Sequence, residues 1–234
     1  MDTLFTALES GAVLVAGLAI RMGLLLLVLA ALSVPVFLFL TGMKGVDALR
    51  RRLQGVIRVG HLFWSDNVYY APSHTWVRPV GPRRVRVGFD DLAQRLFQAP
   101  MGLTLAPVGT VVRAGDAVGE IRTARRRARI VSPVSGTITR VNQAVREDAS
   151  LLHRDPYSRG WLFAVAPADT TYEKLPTGAG AKSWLWNEEN RLSRFFEAKL
   201  GVAAADGGEY VMHPPELLQD EQWEELTREF LQNR

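Results

Sequence analysis

Residues 108–136 have the sequence V-G-T-V-V-R-A-G-D-A-V-G-E-I-R-T-A-R-R-R-A-R-I-V-S-P-V-S-G, in which short apolar runs alternate with turn signals. Turns are indicated by Ala114-Gly115-Asp116 and by Ser132-Pro133, because glycine, proline and small polar residues favour turn conformations. Similar Val-rich and Ile-rich runs extend from Val68 to Ala166. This pattern is typical of a compact β-domain. We therefore expect a mostly β fold with peripheral helices.

The same stretch is rich in arginine, with Arg122, Arg125, Arg126, Arg127 and Arg129 close together. In an extended strand, Arg125, Arg127 and Arg129 share one face. Such a face attracts phosphates, anionic lipid headgroups or an acidic protein surface. A solvated basic hairpin beside a negatively charged leaflet explains the pattern equally well. Nucleic acid is not expected as a partner, because residues 121–131 contain no aromatic side chain on which bases could stack.

Several segments resemble the glycine cleavage system H protein, a relative of lipoyl domains with a barrel-sandwich hybrid fold. They follow the order of that family: Y-A-P-S-H-T-W-V (70–77), R-V-R-V-G-F-D-D-L-A-Q (84–94), residues 108–119, S-P-V-S-G (132–136), Val141-Asn142, Asp155-Pro156-Tyr157 and Gly160-Trp161-Leu162. The resemblance implies the H-protein fold, and in that family this fold carries a lipoyl group on a lysine.

The lysine is the point at which the sequence departs from the family. When the sequences are aligned on S-P-V-S-G, the family's E-S-V-K-A falls on residues 122–126, so Arg122 replaces the acidic residue and Arg125 replaces the lipoyl lysine. Lipoylation needs a primary amine that can lose its proton, whereas a guanidinium stays protonated and delocalised. The lysines of the chain lie elsewhere: Lys44, Lys174, Lys182 and Lys199. We therefore expect no lipoyl group and no other cofactor.

The composition of the 234-residue chain argues against an enzyme. There is no cysteine, which excludes a disulfide, a thiol nucleophile and a thiolate metal site. No phosphate-binding loop, nucleophile elbow or dinucleotide fingerprint occurs. The histidines have no helical metal-pair spacing and are expected to be structural or solvated: His61, His74, His153 and His213.

An apolar stretch covers residues 11–42, and residues 23–40 within it carry no charge. Since about 20 apolar residues cross the hydrocarbon core of a bilayer, this run predicts one transmembrane helix. A cleaved signal peptide fits less well, because the run is too long for an h-region and no basic segment precedes it. The basic residues 44 and 50–52 follow the span, which predicts an inner-membrane, single-pass protein with the N-terminus outside and the C-terminal domain in the cytoplasm.

Arg21 interrupts this apolar stretch just before the uncharged run at residues 23–40, and its role has two interpretations. Its side chain could extend to the outer interface of the membrane while its aliphatic part stays in the apolar layer. Alternatively, Arg21 is buried against an acidic or other polar group of a partner, because charges inside a membrane need partners.

Two helices are predicted after the β-domain. The first covers Asn187–Leu200, and the aromatic residues in and before it either cap the domain or anchor a partner: Trp184, Trp186, Phe195 and Phe196. The second runs from Pro215 to about Gln232, with apolar residues on one side and acidic residues elsewhere. We expect this acidic helix to meet the basic hairpin, within one chain or between chains.

These features predict five regions along the chain. They are an N-terminal segment with the transmembrane helix (1–43), a basic juxtamembrane linker (44–66), the H-protein-like barrel-sandwich hybrid domain (67–166), an insertion with the aromatic helix (167–213) and an amphipathic acidic helix (214–234).

The favoured hypothesis is a non-catalytic, non-lipoylated accessory or scaffold subunit of a membrane protein complex. It would dock through its cytoplasmic domain and its transmembrane helix, with the membrane, other subunits, and an anionic lipid or acidic protein surface as partners. The alternative is a lipoyl-type carrier of the glycine cleavage system. A membrane fusion protein of an export system ranks third, because it would need a long helical hairpin where this chain has only T-A-R-R-R-A-R.

Overall fold

The computed structural model describes residues 56–59, 62–97, 100–201 and 215–232, together with positions 21, 22, 24, 25, 29, 32 and 33. The chain divides into two units, residues 1–51 and residues 52–234. In the first unit, Arg21 is helical and its side chain is exposed. The predicted span at residues 23–40 lies largely outside the described residues. No helix among the described residues is long and apolar enough to cross a membrane.

The second unit is built mainly from antiparallel strands. In chain order these are β1 (Val56–Val59), β2 (Leu62–Ser65), β3 (Tyr69–Tyr70), β4 (Thr75–Pro79), β5 (Val85–Phe89), β6 (Gly102–Leu105), β7 (Val111–Val112), β8 (Ala117–Arg122), β9 (Arg127–Val131), β10 (Gly136–Val141) and β11 (Trp161–Pro167). β1 pairs with β2, and the other strands form a six-stranded sheet in the order β3-β4-β5-β11-β10-β7 and a three-stranded sheet in the order β6-β8-β9.

Alternation along the strands creates the core between these sheets. In the six-stranded sheet, Val77, Val87 and Phe163 are aligned across neighbouring strands, and all three are fully buried. The three-stranded sheet contributes Ile121 and Ile130 to the same hydrophobic cluster. Because successive strand residues point to opposite faces, each sheet buries one face. The prediction of a mostly β fold is confirmed.

Helices surround the sheets: α1 (Asp91–Leu96), α2 (Gln143–Glu147), α3 (Leu151–Arg154), α4 (Gly178–Leu200) and α5 (Asp220–Leu226), with a π-helical turn at Thr227–Leu231 and 3₁₀ turns at Thr171–Lys174 and Pro215–Leu217. α1 begins after Asp90, whose carboxylate caps the helix by accepting a hydrogen bond of 2.9 Å from the backbone N–H of Ala93. The predicted peripheral helices are therefore present.

α4 is longer than the sequence predicts. It begins at Gly178, with Thr177 at the N-cap, rather than at Asn187. Gly178 and Gly180 lie in the added part of the helix, and glycine disfavours helix formation. However, Ala181 and Leu185 are completely buried, so packing against the domain outweighs the weak local preference. The helix ends as predicted at Gly201, which has a left-handed φ of 65°.

Candidate functional site

The basic hairpin formed by β8 and β9 closes through a short turn at residues 123–126. The backbone N–H of Thr123 donates to the carbonyl of Arg126 at 2.8 Å, and the N–H of Arg126 donates to the Thr123 hydroxyl at 3.0 Å. The second bond uses the threonine hydroxyl, and both bonds close a tight turn. They place Arg125 at the tip of the hairpin, where its side chain is exposed.

Four of the five predicted contact arginines are exposed on this hairpin: Arg122, Arg125, Arg127 and Arg129. Arg122 lies directly opposite Arg127, and Glu120 lies opposite Arg129. The intervening Ala128 and Ile130 are buried, so the strand alternates between a basic outer face and an apolar inner face. Glu120 is 3.9 Å from Arg122 and offsets part of the positive charge. The outer face nevertheless carries an excess of arginine.

Arg126 differs from the other four, because its side chain is directed at the C-terminal helix and is only 9% exposed. One guanidinium nitrogen lies 2.5 Å from the carboxylate of Asp220, and another donates to the backbone carbonyl of Leu218. The guanidinium also lies 5.6 Å from the ring centroid of Trp223. Arg126 therefore fastens the hairpin to its own chain, and the outer face consists of the other four arginines.

The C-terminal helix meets the hairpin within one chain, as one of the two sequence hypotheses expected. The indole N–H of Trp223 donates to the carbonyl of Arg127 at 2.9 Å, and the predicted apolar residues Leu218, Leu226 and Phe230 are buried. A groove of about 620 Å³ lies along this contact. Its lining includes Arg125, Arg127, Arg129, Arg228, Trp223 and Glu224.

The aromatic residues proposed as partner anchors have different environments. Phe195 and Phe196 are buried, and Trp184 packs its ring 6.1 Å from that of Tyr70. These three side chains cover the domain. Trp186 is 51% exposed and is the member of the set that remains available to a partner.

A buried charged cluster, which the sequence did not reveal, lies where α4 packs on the domain. His74 is fully buried, with Nδ1 2.8 Å from Asp90 and Nε2 3.4 Å from Glu188. Burial alone lowers the pKa of His74, but the carboxylates of Asp90 and Glu188 together raise it to about 9. The imidazole ring also contacts Trp184 and Phe230, at centroid distances of 5.2 and 6.2 Å.

The sequence did not indicate that these groups meet. His74 was expected only to be structural or solvated. The distance from His74 to Glu188 depends on how α4 packs against the domain. No local sequence pattern predicts that packing. His74 also has a left-handed φ of 53°, which is uncommon for a residue other than glycine. This cluster joins the β3–β4 turn, the start of α1 and the long helix.

The fold and the hairpin together define the class of the protein, a β-sandwich of the lipoyl type. The family model described as "Glycine cleavage H-protein" matches residues 68–185. That match covers half of the chain, and the chain therefore belongs to the glycine cleavage H-protein family.

Two curated relatives agree with this assignment. The glycine cleavage system H protein of Mycobacterium avium is 36% identical over 103 residues, which cover 44% of this chain and 78% of the relative. Glycine cleavage system H protein 1 of Caldanaerobacter subterraneus subsp. tengcongensis is 36% identical over 121 residues, or 51% of this chain and 95% of the relative. A crystal structure of a glycine cleavage system H protein from Mycobacterium marinum covers 53% of this chain and 99% of its own, with 26% identity and a TM-score of 0.46.

Proposed function

We propose that this member of the H-protein family is a non-lipoylated accessory subunit that docks other components of a membrane protein complex. The observation that carries the proposal is the arginine at position 125, at the tip of the hairpin, where the resemblance puts the family's modified lysine. In this proposal the protein has no catalytic activity of its own.

The side chains of the hairpin do not fit a lipoyl group. An amide link to lipoate requires an amine, and the cationic residues of β8, β9 and their turn are all arginines. The whole segment between Val46 and Glu173 contains no lysine that could replace Arg125. The guanidinium instead offers several N–H donors in a planar fork, which suits recognition of carboxylates and phosphates.

The exposed arginines supply the proposed docking surface. Arg122, Arg125, Arg127 and Arg129 would contact an acidic protein surface or an anionic leaflet, while Arg126 holds the hairpin against the C-terminal helix. The apolar residues 23–40 would anchor the chain in the inner membrane, with Arg21 at the interface or against a partner. The charges that flank the span favour a cytoplasmic position for the domain.

A second function, the lipoyl carrier of the glycine cleavage system, is favoured by the relatives. The relatives described above are named glycine cleavage system H proteins, and their identity to this chain is 36%. This function requires a lipoyl group attached to some lysine of the chain. The mass of the intact protein separates the two functions, because only the carrier would show an increment of the size of a lipoyl group.

A third possible function is that of a membrane fusion protein. The hairpin does not support it. In such a protein a long helical hairpin would extend from the tip. Here β8 ends at Arg122 and β9 begins at Arg127, so residues 123–126 form the whole connection.

Purification from native membranes tests the docking function. The tagged full-length chain is extracted with mild detergent, and stoichiometric partners are quantified for the wild type and for R125Q/R127Q. The control R146Q/R194Q removes the same charge from exposed positions on α2 and α4. We expect the hairpin variant to lose a partner that the control retains. Recovery of the wild type alone, or equal recovery of partners in all three proteins, would contradict the proposal.

A further inference from the structure

A second arginine cluster lies on the outer face of the six-stranded sheet. Arg86 in β5 is opposite Ala164 in β11, and Ala164 is in turn opposite Arg140 in β10. The two arginines therefore share one face and flank a small residue. Because neighbouring strands are about 4.8 Å apart, their backbones are separated by about 10 Å.

Trp161 positions both guanidinium groups. The ring centroid of Trp161 is 5.1 Å from the guanidinium carbon of Arg86 and 5.7 Å from that of Arg140. These are cation–π distances, and Trp161 is only 8% exposed. A guanidinium held against a ring loses less conformational freedom when it binds a ligand, which favours binding.

No acidic residue balances this pair among the residues that the structure describes. The ring of Trp161 is the partner of both guanidinium groups there, and neither forms an ion pair. Partial burial, followed by the positive charges of Arg140 and Arg84, lowers the pKa of Arg86. Their neighbour Arg78 is different, because its guanidinium donates to the carbonyl of Tyr157. The N–H donors of Arg86 and Arg140 thus remain available on a face with excess positive charge.

We propose that Arg86 and Arg140 together bind a phosphoryl dianion above the ring of Trp161. Two guanidinium groups match two negative charges, whereas a carboxylate would balance only one of them. Each guanidinium can also bind phosphate oxygens through two parallel N–H bonds. The phosphoryl group would come from inorganic phosphate or from the phosphomonoester headgroup of a lipid. This site is on a different sheet from the basic hairpin and is independent of the proposed docking function.

Calorimetric titration of the full-length chain in a non-ionic detergent tests the site, with inorganic phosphate and glycerol 3-phosphate as separate ligands at constant ionic strength. We expect R86Q/R140Q to weaken binding by about tenfold or more. R86K/R140K should bind with intermediate affinity, because lysine keeps the charge and loses the planar fork. The variant R146Q/R194Q is the charge-matched control and should bind as the wild type does.

The two ligands distinguish the sources of the phosphoryl group. Binding of both shows that an ester is accepted, as a lipid headgroup requires, whereas binding of inorganic phosphate alone identifies the free anion. The proposal is overturned if neither ligand binds, if R86Q/R140Q binds as well as the wild type, or if the control variant loses as much affinity. Circular dichroism of each variant verifies that the fold is intact. The variant W161F keeps an aromatic ring and should retain most of the affinity for phosphate.

Discussion

At the scale of single residues, the feature with the largest desolvation cost is the charge buried at His74. Its imidazole is 0% exposed and lies between two carboxylates, Asp90 at 2.8 Å and Glu188 at 3.4 Å. Removing ions from water is costly, and breaking a buried pair by deleting one partner leaves an uncompensated charge. The cluster therefore makes the docking of α4 sensitive to the protonation of one histidine.

We predict that the free energy of unfolding decreases as the pH rises from about 6.5 to about 9. The folded state raises the pKa of His74 from 6.5 to about 9, so the stabilisation is complete below pH 6.5 and is lost as the pH passes through 9. The loss should be on the order of 3 kcal/mol. Urea denaturation at a series of pH values measures it.

Two variants assign this pH dependence to His74. H74N should be less stable at neutral pH and should lack most of the slope between pH 6.5 and 9. H153N is the control, because Nε2 of His153 donates to the carbonyl of Phe97 at 2.8 Å and no carboxylate lies beside this imidazole among the described residues. A wild-type slope that survives in H74N would show that another group is responsible.

Gly88 gives a second prediction at this scale. An added Cβ would lie 2.4 Å from the ring of Trp76, which is itself buried. We expect G88A to destabilise the domain by about 2 kcal/mol or more, because overpacking a dense core forces side chains to move. G180A is the control, since a Cβ there meets no atom within 4 Å and the residue lies in α4. Thermal unfolding should show little change, or a small gain, for G180A.

At the scale of elements, the hairpin and the C-terminal helix act as one unit. Arg126 and Trp223 connect them through the carbonyls of Leu218 and Arg127. Hydrogen bonds from charged groups contribute more than neutral ones, and here the guanidinium is nearly buried. The side chain of Asp220 is 91% exposed, so solvent screening weakens its ion pair with Arg126.

We predict that R126Q loosens the C-terminal helix by about 1–3 kcal/mol without unfolding the sheets. Hydrogen exchange at residues 215–231 should become faster, while exchange in β4, β5 and β11 stays the same. R129Q removes an exposed arginine from the same hairpin and should leave the helix protected. Equal exchange in R126Q and the wild type would show that Arg126 does not hold the helix.

The periodic pattern of polar and apolar residues predicted several features at this scale. It indicated which arginines of the hairpin share a face and which side of the C-terminal helix is apolar. It could not show that Arg126 faces the helix, because an arginine at a turn has no periodic constraint. Nor could it show the early start of α4, the pairing of His74 with Glu188, or the meeting of Arg86, Arg140 and Trp161. Each of these depends on how separate elements pack.

At the scale of the whole molecule, the chain joins an H-protein domain to an apolar N-terminal segment. The segment's membrane role is a prediction from residues 23–40, which are uncharged. We expect the full-length chain to stay in the membrane pellet after alkaline carbonate extraction, and a variant without residues 1–43 to be released. Release of the full-length chain would contradict a membrane span.

The hairpin contains arginines and no lysine, which limits the chemistry that this domain can perform. The hairpin keeps the position and the β-structure that the family resemblance implies, but its tip offers a guanidinium in place of an amine. A surface of exposed arginines can recognise anions, and it cannot form the amide link of a lipoyl arm. The central claim is therefore chemical and concerns one covalent modification.

The mass of the intact full-length protein, purified from its own host, tests this claim most directly. The variant R122E/R125K, which restores the acidic residue and the lysine of the family pattern, serves as the control for the host's lipoylation system. The account predicts that the wild type has the mass of its amino-acid sequence, with no increment of the size of a lipoyl group. A wild-type protein carrying that increment, on any of its lysines, would contradict it.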